Sequence, residues 1–319
     1  MNKVVITGCD GQDGQYLAEL LRSLGYSVVG ITNRNRDYNF SRQNQITKQT
    51  VDYSVSSECW KSLDSIQPNH IFHFAGVHAG SHAMSGKIYS SSVDMNKTHV
   101  ESSKNILEWQ RFNQSFSHFS LSSKMFTPVE KHTEITEESI PLPSNFYGET
   151  KAACWGLIRN YRDQYQVSAN GYILFPHYSK YSKPGFFAYD WADRIYNLIN
   201  NHACKEMESI EDVFLDVSHA ADICSAVVKC AKLKIVGDFV LGSGKLIKVS
   251  TIMDQLLDKL DLSFKLPIDQ KFVDSPKLIS NYTKIREVTG WEPMLAPYFA
   301  IYEILMKRFQ EKIPSSKRK

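Results

Sequence analysis

Val4–Gly14, VVITGCDGQDG, is the stretch that decides the fold. Val4, Val5 and Ile6 form a short apolar run of the kind that makes a buried strand. Gly8, Gly11 and Gly14 follow at three-residue intervals, and Tyr16, Leu17, Leu20 and Leu21 then repeat at helical spacing. Strand, glycine turn and helix in that order turn a glycine pattern into a dinucleotide-site hypothesis. One glycine lets the chain turn sharply, another lets a pyrophosphate approach the backbone, and a third lets helix and strand pack closely. The helix N-terminus then offers N–H groups and a positive dipole end to the phosphates. A plain glycine-rich surface turn is the alternative, and the flanking strand and helix argue against it. Gly8, Gly11, Gln12, Asp13 and Gly14 are therefore candidate cofactor-binding residues.

Outward from this stretch, Tyr26–Thr32 reads as a second strand, and the residues after such a strand select the cofactor. An acid there hydrogen-bonds the ribose of NAD, whereas an arginine neutralises the 2′-phosphate of NADP. Here the chain reads Asn33-Arg34-Asn35-Arg36, with no acid until Asp37. Arg34 and Arg36 favour NADP, the alternative being two solvated loop arginines. Val51-Asp52-Tyr53 reads as a third strand with Asp52 at the adenine edge, and Cys59–Ile66 as a helix. His70–Phe74 is a fourth strand ending in Ala75-Gly76, small enough to let the backbone pass close to a cofactor. A helix from about Val93 to Phe112 and a fifth strand, Ser117–Ser122, follow. This alternation predicts an α/β fold, a Rossmann-type doubly wound parallel sheet covered on both faces.

The next helix, Asn145–Tyr165, carries chemistry. Tyr147 and Lys151 are four residues apart, so both project from one face. A lysine ammonium beside a phenol is expected to lower the tyrosine pKa toward neutrality, giving a usable proton donor and acceptor. A serine cluster one strand and one helix earlier, Ser120, Ser122 and Ser123, offers hydroxyls for the same substrate oxygen, and the resemblance described below selects Ser122.

A sixth strand, Ser168–Phe175, is followed by His177, placed to contact cofactor or substrate, and by an irregular loop, Pro176–Phe187. Helices are expected at Trp191–Asn200, Ala220–Lys232, Thr251–Leu260 and Leu295–Gln310, with strands at Asp238–Leu241 and near Lys271–Val273. The expected division is a cofactor domain of 1–175 plus 213–242, a smaller C-terminal substrate lobe of 176–212 plus 243–312, and a basic tail, 313–319. A net charge of +3 over 319 residues is too small to argue for nucleic acid or a membrane surface. The six cysteines lack any paired spacing, which predicts buried thiols, no zinc and no disulfide framework. His73, His78 and His82 read as core or pocket histidines because no acid or cysteine completes a ligand set. The N-terminus runs straight into the first strand, and no apolar run suits a bilayer, so a cytoplasmic location is expected.

With these residues in hand, the chain resembles an extended short-chain dehydrogenase/reductase, most similar to the GDP-mannose 4,6-dehydratases. TGCDGQDGQYLAELL resembles that family's glycine signature, GITNRNRDYNFSR its NADP-selecting segment, and FYGETKAACWGLIRNYRDQY its catalytic helix. SHAAD at Ser218–Asp222 and TGWEP at Thr289–Pro293 match shorter landmarks. The resemblance implies NADP-dependent chemistry on a nucleotide-activated hexose. The sugar's 4-hydroxyl yields its proton to tyrosine and its hydride to NADP, water leaves from C6, and the hydride is returned. It also implies a homodimer, or a higher homo-oligomer, paired through the helices Val93–Phe112 and Asn145–Tyr165.

The departures matter as much. Elimination needs a base at C5, and the family places a glutamate two residues after the triad hydroxyl, where this chain has Lys124. Glu137 and Glu138 are nearby in sequence only. Pro176, Leu215 and Ser275-Pro276 replace an asparagine and two arginines that the family uses on the sugar and the diphosphate, and Lys180 and Lys183 are candidate replacements for that charge. Three readings stay open: a dehydratase with an altered base, a nucleotide-sugar 4-reductase or epimerase that needs no C5 base, and a non-catalytic dinucleotide binder. The Tyr147/Lys151 pair argues against the third, and Lys124 against the first.

Overall fold

A computed structural model describes residues 2–33, 46–77, 91–201, 210–263, 266–269 and 277–311. The first half runs through β1 (Lys3–Thr7), α1 (Gln12–Ser23), β2 (Ser27–Thr32), β3 (Thr47–Thr50), α2 (Ser56–Ile66) and β4 (His70–His73). Next come α3 (Ser92–Asn96), a π-helical turn (Lys97–Glu101) and α4 (Ser102–Gln110), then β5 (Phe116–Ser120), a 3-10 turn (Ser123–Met125) and β6 (His132–Ile135). The long α5 (Phe146–Tyr165) leads to β7 (Ser168–Leu174) and β8 (His177–Tyr178). The remainder comprises α6 (Phe187–Asn201), β9 (Ile210–Glu211), β10 (Phe214–Leu215), β11 (Ser218–His219), α7 (Ala220–Leu233) and β12 (Asp238–Leu241). It ends with β13 (Ile247–Lys248), α8 (Val249–Lys259), β14 (Ile268–Asp269), β15 (Lys277–Ser280), α9 (Thr283–Thr289) and α10 (Phe299–Glu311).

Seven strands form one sheet in the order β12-β7-β5-β4-β1-β2-β3, and every neighbouring pair is parallel. That is the expected doubly wound sheet. Its central strands are buried throughout, because parallel strands covered by helices on both faces cannot leave one face wet. Successive residues serve opposite faces. Val4 and Ile6 join the cluster built with α1 and α7, whereas Val5 joins the one built with α2, α4 and α5. A third cluster gathers Trp191, Ile195, Val217, Ile252, Leu256, Ile301 and Leu305, with Val213 and Leu215 packed against it. Ile285 and Trp291 belong instead to the α1/α7 cluster. Among the described residues no helix is long and apolar enough to cross a membrane.

Several boundaries differ from the sequence expectation. The third strand is Thr47–Thr50 rather than Val51–Tyr53. It lies at the sheet edge, where a polar strand with a single neighbour is tolerated, so the apolar Val51 marks the strand's end and not its body. The helix expected over Val93–Phe112 is interrupted by the π turn. The terminal helix starts at Phe299, four residues beyond Leu295, after Pro297. Pairing of β6 with β15, and of β8 with β11, escapes a periodicity reading because these strands are two to four residues long. The strand expected near Lys271–Val273 lies outside the described residues.

Candidate active site

All seven strands run one way, so the turns at their carboxyl ends share one edge of the sheet. The glycine turn follows β1 there, Ala75-Gly76 follows β4, Ser122 follows β5 and His177 follows β7.

Gly8 has φ +70°, and a Cβ on it would lie 2.7 Å from the Ala75 backbone. A Cβ on Gly14 would lie 2.3 Å from the Gly8 carbonyl oxygen, and one on Gly11 3.0 Å from the same atom. The three glycines thus fold the turn onto itself and onto the segment after β4. Gly11 caps α1 without any side-chain hydrogen bond, leaving that cap without a side chain of its own. A cradle that Cβ atoms would fill, below an uncapped helix end, fits a dinucleotide pyrophosphate. Asp10, within the turn, is paired with Lys48 of β3 at 2.8 Å.

Gln12 and Asp13 are tied to the segment after β7. The Gln12 amide donates to the His177 carbonyl at 3.1 Å, and its oxygen accepts from the hydroxyls of Ser179 and Ser182 at 3.1 and 2.8 Å. Asp13 pairs with His177 Nε2 at 3.0 Å, and His177 Nδ1 meets the Phe175 carbonyl at 2.7 Å. Burial would push the imidazole down, but the Asp13 carboxylate and these hydrogen bonds leave His177 above its ordinary value. Asp52 stands in the turn after β3, exposed, with one carboxylate oxygen accepting from the Ser54 N–H and hydroxyl at 2.9 and 2.7 Å. Arg34, Arg36, His78, His82 and Ser275-Pro276 lie outside the described residues.

The candidate acid–base pair, Tyr147 and Lys151, sits in the first turns of α5. Asn145 caps the helix, accepting from the Gly148 N–H at 2.9 Å. Gly148 has to be glycine, because its Cβ would fall 2.2 Å from the Lys124 carbonyl oxygen. That close approach presses the first turn of α5 against Ser122–Met125 and brings the Ser122 hydroxyl into hydrogen bond with Tyr147. Lys151 is buried, its Nζ donating to the Ser120 carbonyl at 2.8 Å and lying 5.9 Å from the Tyr147 ring centre.

The expected acidification of Tyr147 is not what this arrangement produces. Desolvation pushes the phenol up to about 12, opposed by the Ser122 hydrogen bond and reinforced by the Asp13 charge. Desolvation also lowers Lys151. A buried ammonium 5.9 Å from the ring, already committed to a carbonyl, does not offset loss of water around the phenol. The phenol therefore holds its proton at neutral pH.

Lys124 is exposed, with its backbone N–H donating to Ser122 Oγ at 3.2 Å. Glu137 is engaged elsewhere, buried and accepting from the Val240 N–H at 2.8 Å, while Glu138 is exposed. His73 is a core histidine, bonded to Thr7 Oγ1 at 2.8 Å and pushed down to about 3 by burial and the Lys151 charge. Leu215 of β10 packs on the third cluster.

Sequence reasoning missed His99. It lies on the π turn, 1% exposed, with its ring edge-on to Tyr147 at 5.4 Å between centres. No spacing in the sequence marks it, because its partners come from residues 22 and 51 positions away.

A parallel sheet with a glycine turn after its first strand and a Ser-Tyr-Lys group on its carboxyl edge defines an extended short-chain dehydrogenase/reductase, within the nucleotide-sugar dehydratases and epimerases. The chain belongs to the family described as GDP-mannose 4,6 dehydratase, whose profile matches residues 5–297. GDP-mannose 4,6 dehydratase 2 of Caenorhabditis elegans is 25% identical, over 91% of this chain and 85% of its own length. The Arabidopsis thaliana GDP-mannose 4,6 dehydratase 2 is 26% identical, over 91% and 82%. Among solved structures, dTDP-glucose 4,6-dehydratase from Bacillus anthracis in complex with NAD shares the fold with a TM-score of 0.79, at 15% identity and 98% coverage of both chains. UDP-glucose 4-epimerase from Stenotrophomonas maltophila, solved with NAD and formylated UDP-arabinopyranose, superposes with a TM-score of 0.80, at 14% identity over 98% of this chain and 99% of that one.

Proposed function

We propose that this protein performs NADP(H)-dependent redox chemistry at C4 of a nucleotide-activated hexose, in the manner of a GDP-mannose 4,6-dehydratase. The observation that carries this reading is the Ser122–Tyr147–Lys151 group at the carboxyl edge of the sheet, beside a glycine cradle. Gly8, Gly11 and Gly14, with Ala75 and Gly76, would hold the dinucleotide, and Arg34 and Arg36 its 2′-phosphate. A bound nicotinamide supplies a hydride acceptor or donor for the sugar carbon. Tyr147 holds the proton exchanged with the sugar oxygen at its Oη, Ser122 orients that oxygen, and Lys151 keeps positive charge beneath them.

A second reading, a 4-reductase or epimerase, is favoured by one observation: Lys124 stands two residues after Ser122, where the resemblance puts the glutamate that a dehydratase uses at C5, and neither of these reactions needs that base. The family pairing of helices across a homodimer is proposed here too. It is supported by the exposed row Phe146, Glu149, Ala153, Gly156 and Asn160 along α5. We place the substrate lobe at 176–212 plus 243–312 and the protein in the cytoplasm.

Mass spectrometry of the purified protein incubated with GDP-mannose and NADP+ tests the dehydratase reading. A product lighter by one water is expected; unchanged GDP-mannose, with turnover of a 4-keto nucleotide sugar and NADPH, moves the assignment to the reductase. Replacing Arg34 and Arg36 together by Ala should weaken NADPH at least tenfold more than NADH, since charge-assisted contacts to phosphate are lost. Equal weakening of both dinucleotides would overturn the NADP assignment.

A further inference from the structure

Three hydrogen bonds link the segment after β4 to the backbone of Tyr147. The Val77 N–H meets His99 Nε2 at 3.1 Å, His99 Nδ1 meets Thr150 Oγ1 at 2.8 Å, and Thr150 Oγ1 meets the Tyr147 carbonyl oxygen at 2.9 Å. The direction of each follows from the donor inventory. A backbone N–H can only donate, so Nε2 carries no proton, and a neutral imidazole must then carry it on Nδ1. That proton goes to Thr150, whose own hydroxyl proton has the Tyr147 carbonyl to meet. Every proton in the chain has one place to be. The ring that relays it stands edge-on to Tyr147, with an interplanar angle of 83°.

The two ends of this chain are functional segments. Val77 directly follows Ala75-Gly76, and Ala75 is the residue against which Gly8 folds the glycine turn. Tyr147 bears the proton-transfer phenol. The middle of the chain rests on a π turn, where His99 is buried between Met95 on the helix before it and Ile106 and Leu107 on the helix after it.

We propose that His99 and Thr150 are positioning residues, which hold the Tyr147 phenol in register with the dinucleotide turn through a single proton-ordered chain. The inference rests on reading Tyr147 as the acid–base group. His99 acts through Thr150, Val77 and the face it presents to the phenol. The neutral ring is required, because a second ring N–H would confront the Val77 N–H. The chain keeps the phenol and the backbone near Ala75 as one unit, which a hydride transfer beside a proton transfer requires, since sub-ångström misplacement is costly there.

The test uses the full-length protein labelled with [13Cζ]tyrosine, the Tyr147 signal being assigned by its loss in Tyr147→Phe. Thr150→Val keeps shape and removes the hydroxyl; Thr150→Ser restores it. His99→Leu removes both ring nitrogens. The Tyr147 signal should shift or broaden in Thr150→Val and His99→Leu and stay at its wild-type position in Thr150→Ser. The NADPH dissociation constant, read by cofactor fluorescence, should rise about tenfold in each of the first two, as expected for one lost link. The double variant should be no weaker than the weaker single, because a broken chain cannot be broken twice. An unmoved Tyr147 signal in Thr150→Val, or effects that multiply to about a hundredfold, would overturn the proposal. Should His99→Leu fail to fold, the Val and Ser pair at Thr150 decides alone. Failure of the wild-type protein to bind NADPH or NADH would sink the dinucleotide reading instead, and the tyrosine signal would still judge the chain.

Discussion

Helix α1 meets its surroundings in two different ways. At its glycines, contact is backbone against backbone, with Gly8, Gly11 and Gly14 offering no side chain to intervene. At Gln12 and Asp13 between them, and at Tyr16 and Glu19 further along, side chains make the contact. Gln12 and Asp13 hold His177, Ser179 and Ser182; Tyr16 reaches Glu303 at 3.5 Å; and Glu19 accepts from Tyr181 at 2.7 Å. Glu303 also accepts from His219 at 2.9 Å and from the Lys180 N–H at 3.2 Å. The first kind of contact is sterically absolute, and a single methyl abolishes it. The second is distributed, and each member contributes little alone. The difference teaches where the protein is brittle: at the glycine turn, and not among the side-chain contacts of α1.

The largest test of that contrast lies at the chemical centre both regions frame. Tyr147→Phe should lower turnover by about 10³-fold while leaving NADPH binding intact, since only the proton-transfer group is removed. Retained activity in steady-state assays would take Tyr147 out of the mechanism. Gly14→Ala comes next. Its Cβ would sit 2.3 Å from the Gly8 carbonyl oxygen, and urea titration should show a loss of about 3 kcal/mol. A smaller loss than at the Asp13–His177 pair would reverse the comparison.

On the distributed side, Asp13→Asn should cost about 1 kcal/mol, with a defined pH dependence. His177 is raised above its ordinary 6.5, so its pairing stabilises fully below 6.5 and fades as pH rises through the raised value. The gap between wild type and variant should therefore be wider at pH 6 than at pH 9, and a flat gap would remove the ion pair from the account. The smallest effect should come from a glycine with open space around it. Within the chain nothing lies within 4 Å of a Cβ on Gly156, so in dilute, monomeric protein Gly156→Ala should stabilise α5 by about 0.5–1 kcal/mol. At concentrations where the proposed homodimer forms, the same change should weaken association, and an unchanged dimer would take this face out of the pairing.

The same contrast explains what the sequence reveals. The glycine turn, the parallel sheet and the Tyr147/Lys151 pair are legible because each depends on residues within one helical turn or one strand of each other. Gly148 is half legible. It stands beside Tyr147 in plain sight, but its need to be glycine comes from the Lys124 carbonyl across a loop. The Glu303 cluster and His99 are illegible, because their partners are assembled from distant segments of the chain. The raised pKa of Tyr147 is illegible for a related reason. A charge four residues away is readable from spacing, whereas the desolvation that outweighs it depends on everything packed around the phenol.

Helix α1 spans 12 residues, roughly 18 Å at 1.5 Å per residue, and carries the glycine turn at its start and the contacts to Tyr181 and Glu303 further along, with no flexible element between them. This has a consequence for modularity. A segment 177–182 grafted from a relative would arrive without the carboxylates and amide that α1 supplies to it, and a grafted glycine turn would bring the wrong ones. The unit of exchange is therefore that segment together with α1, and a chimera that takes one without the other should be less stable than either parent.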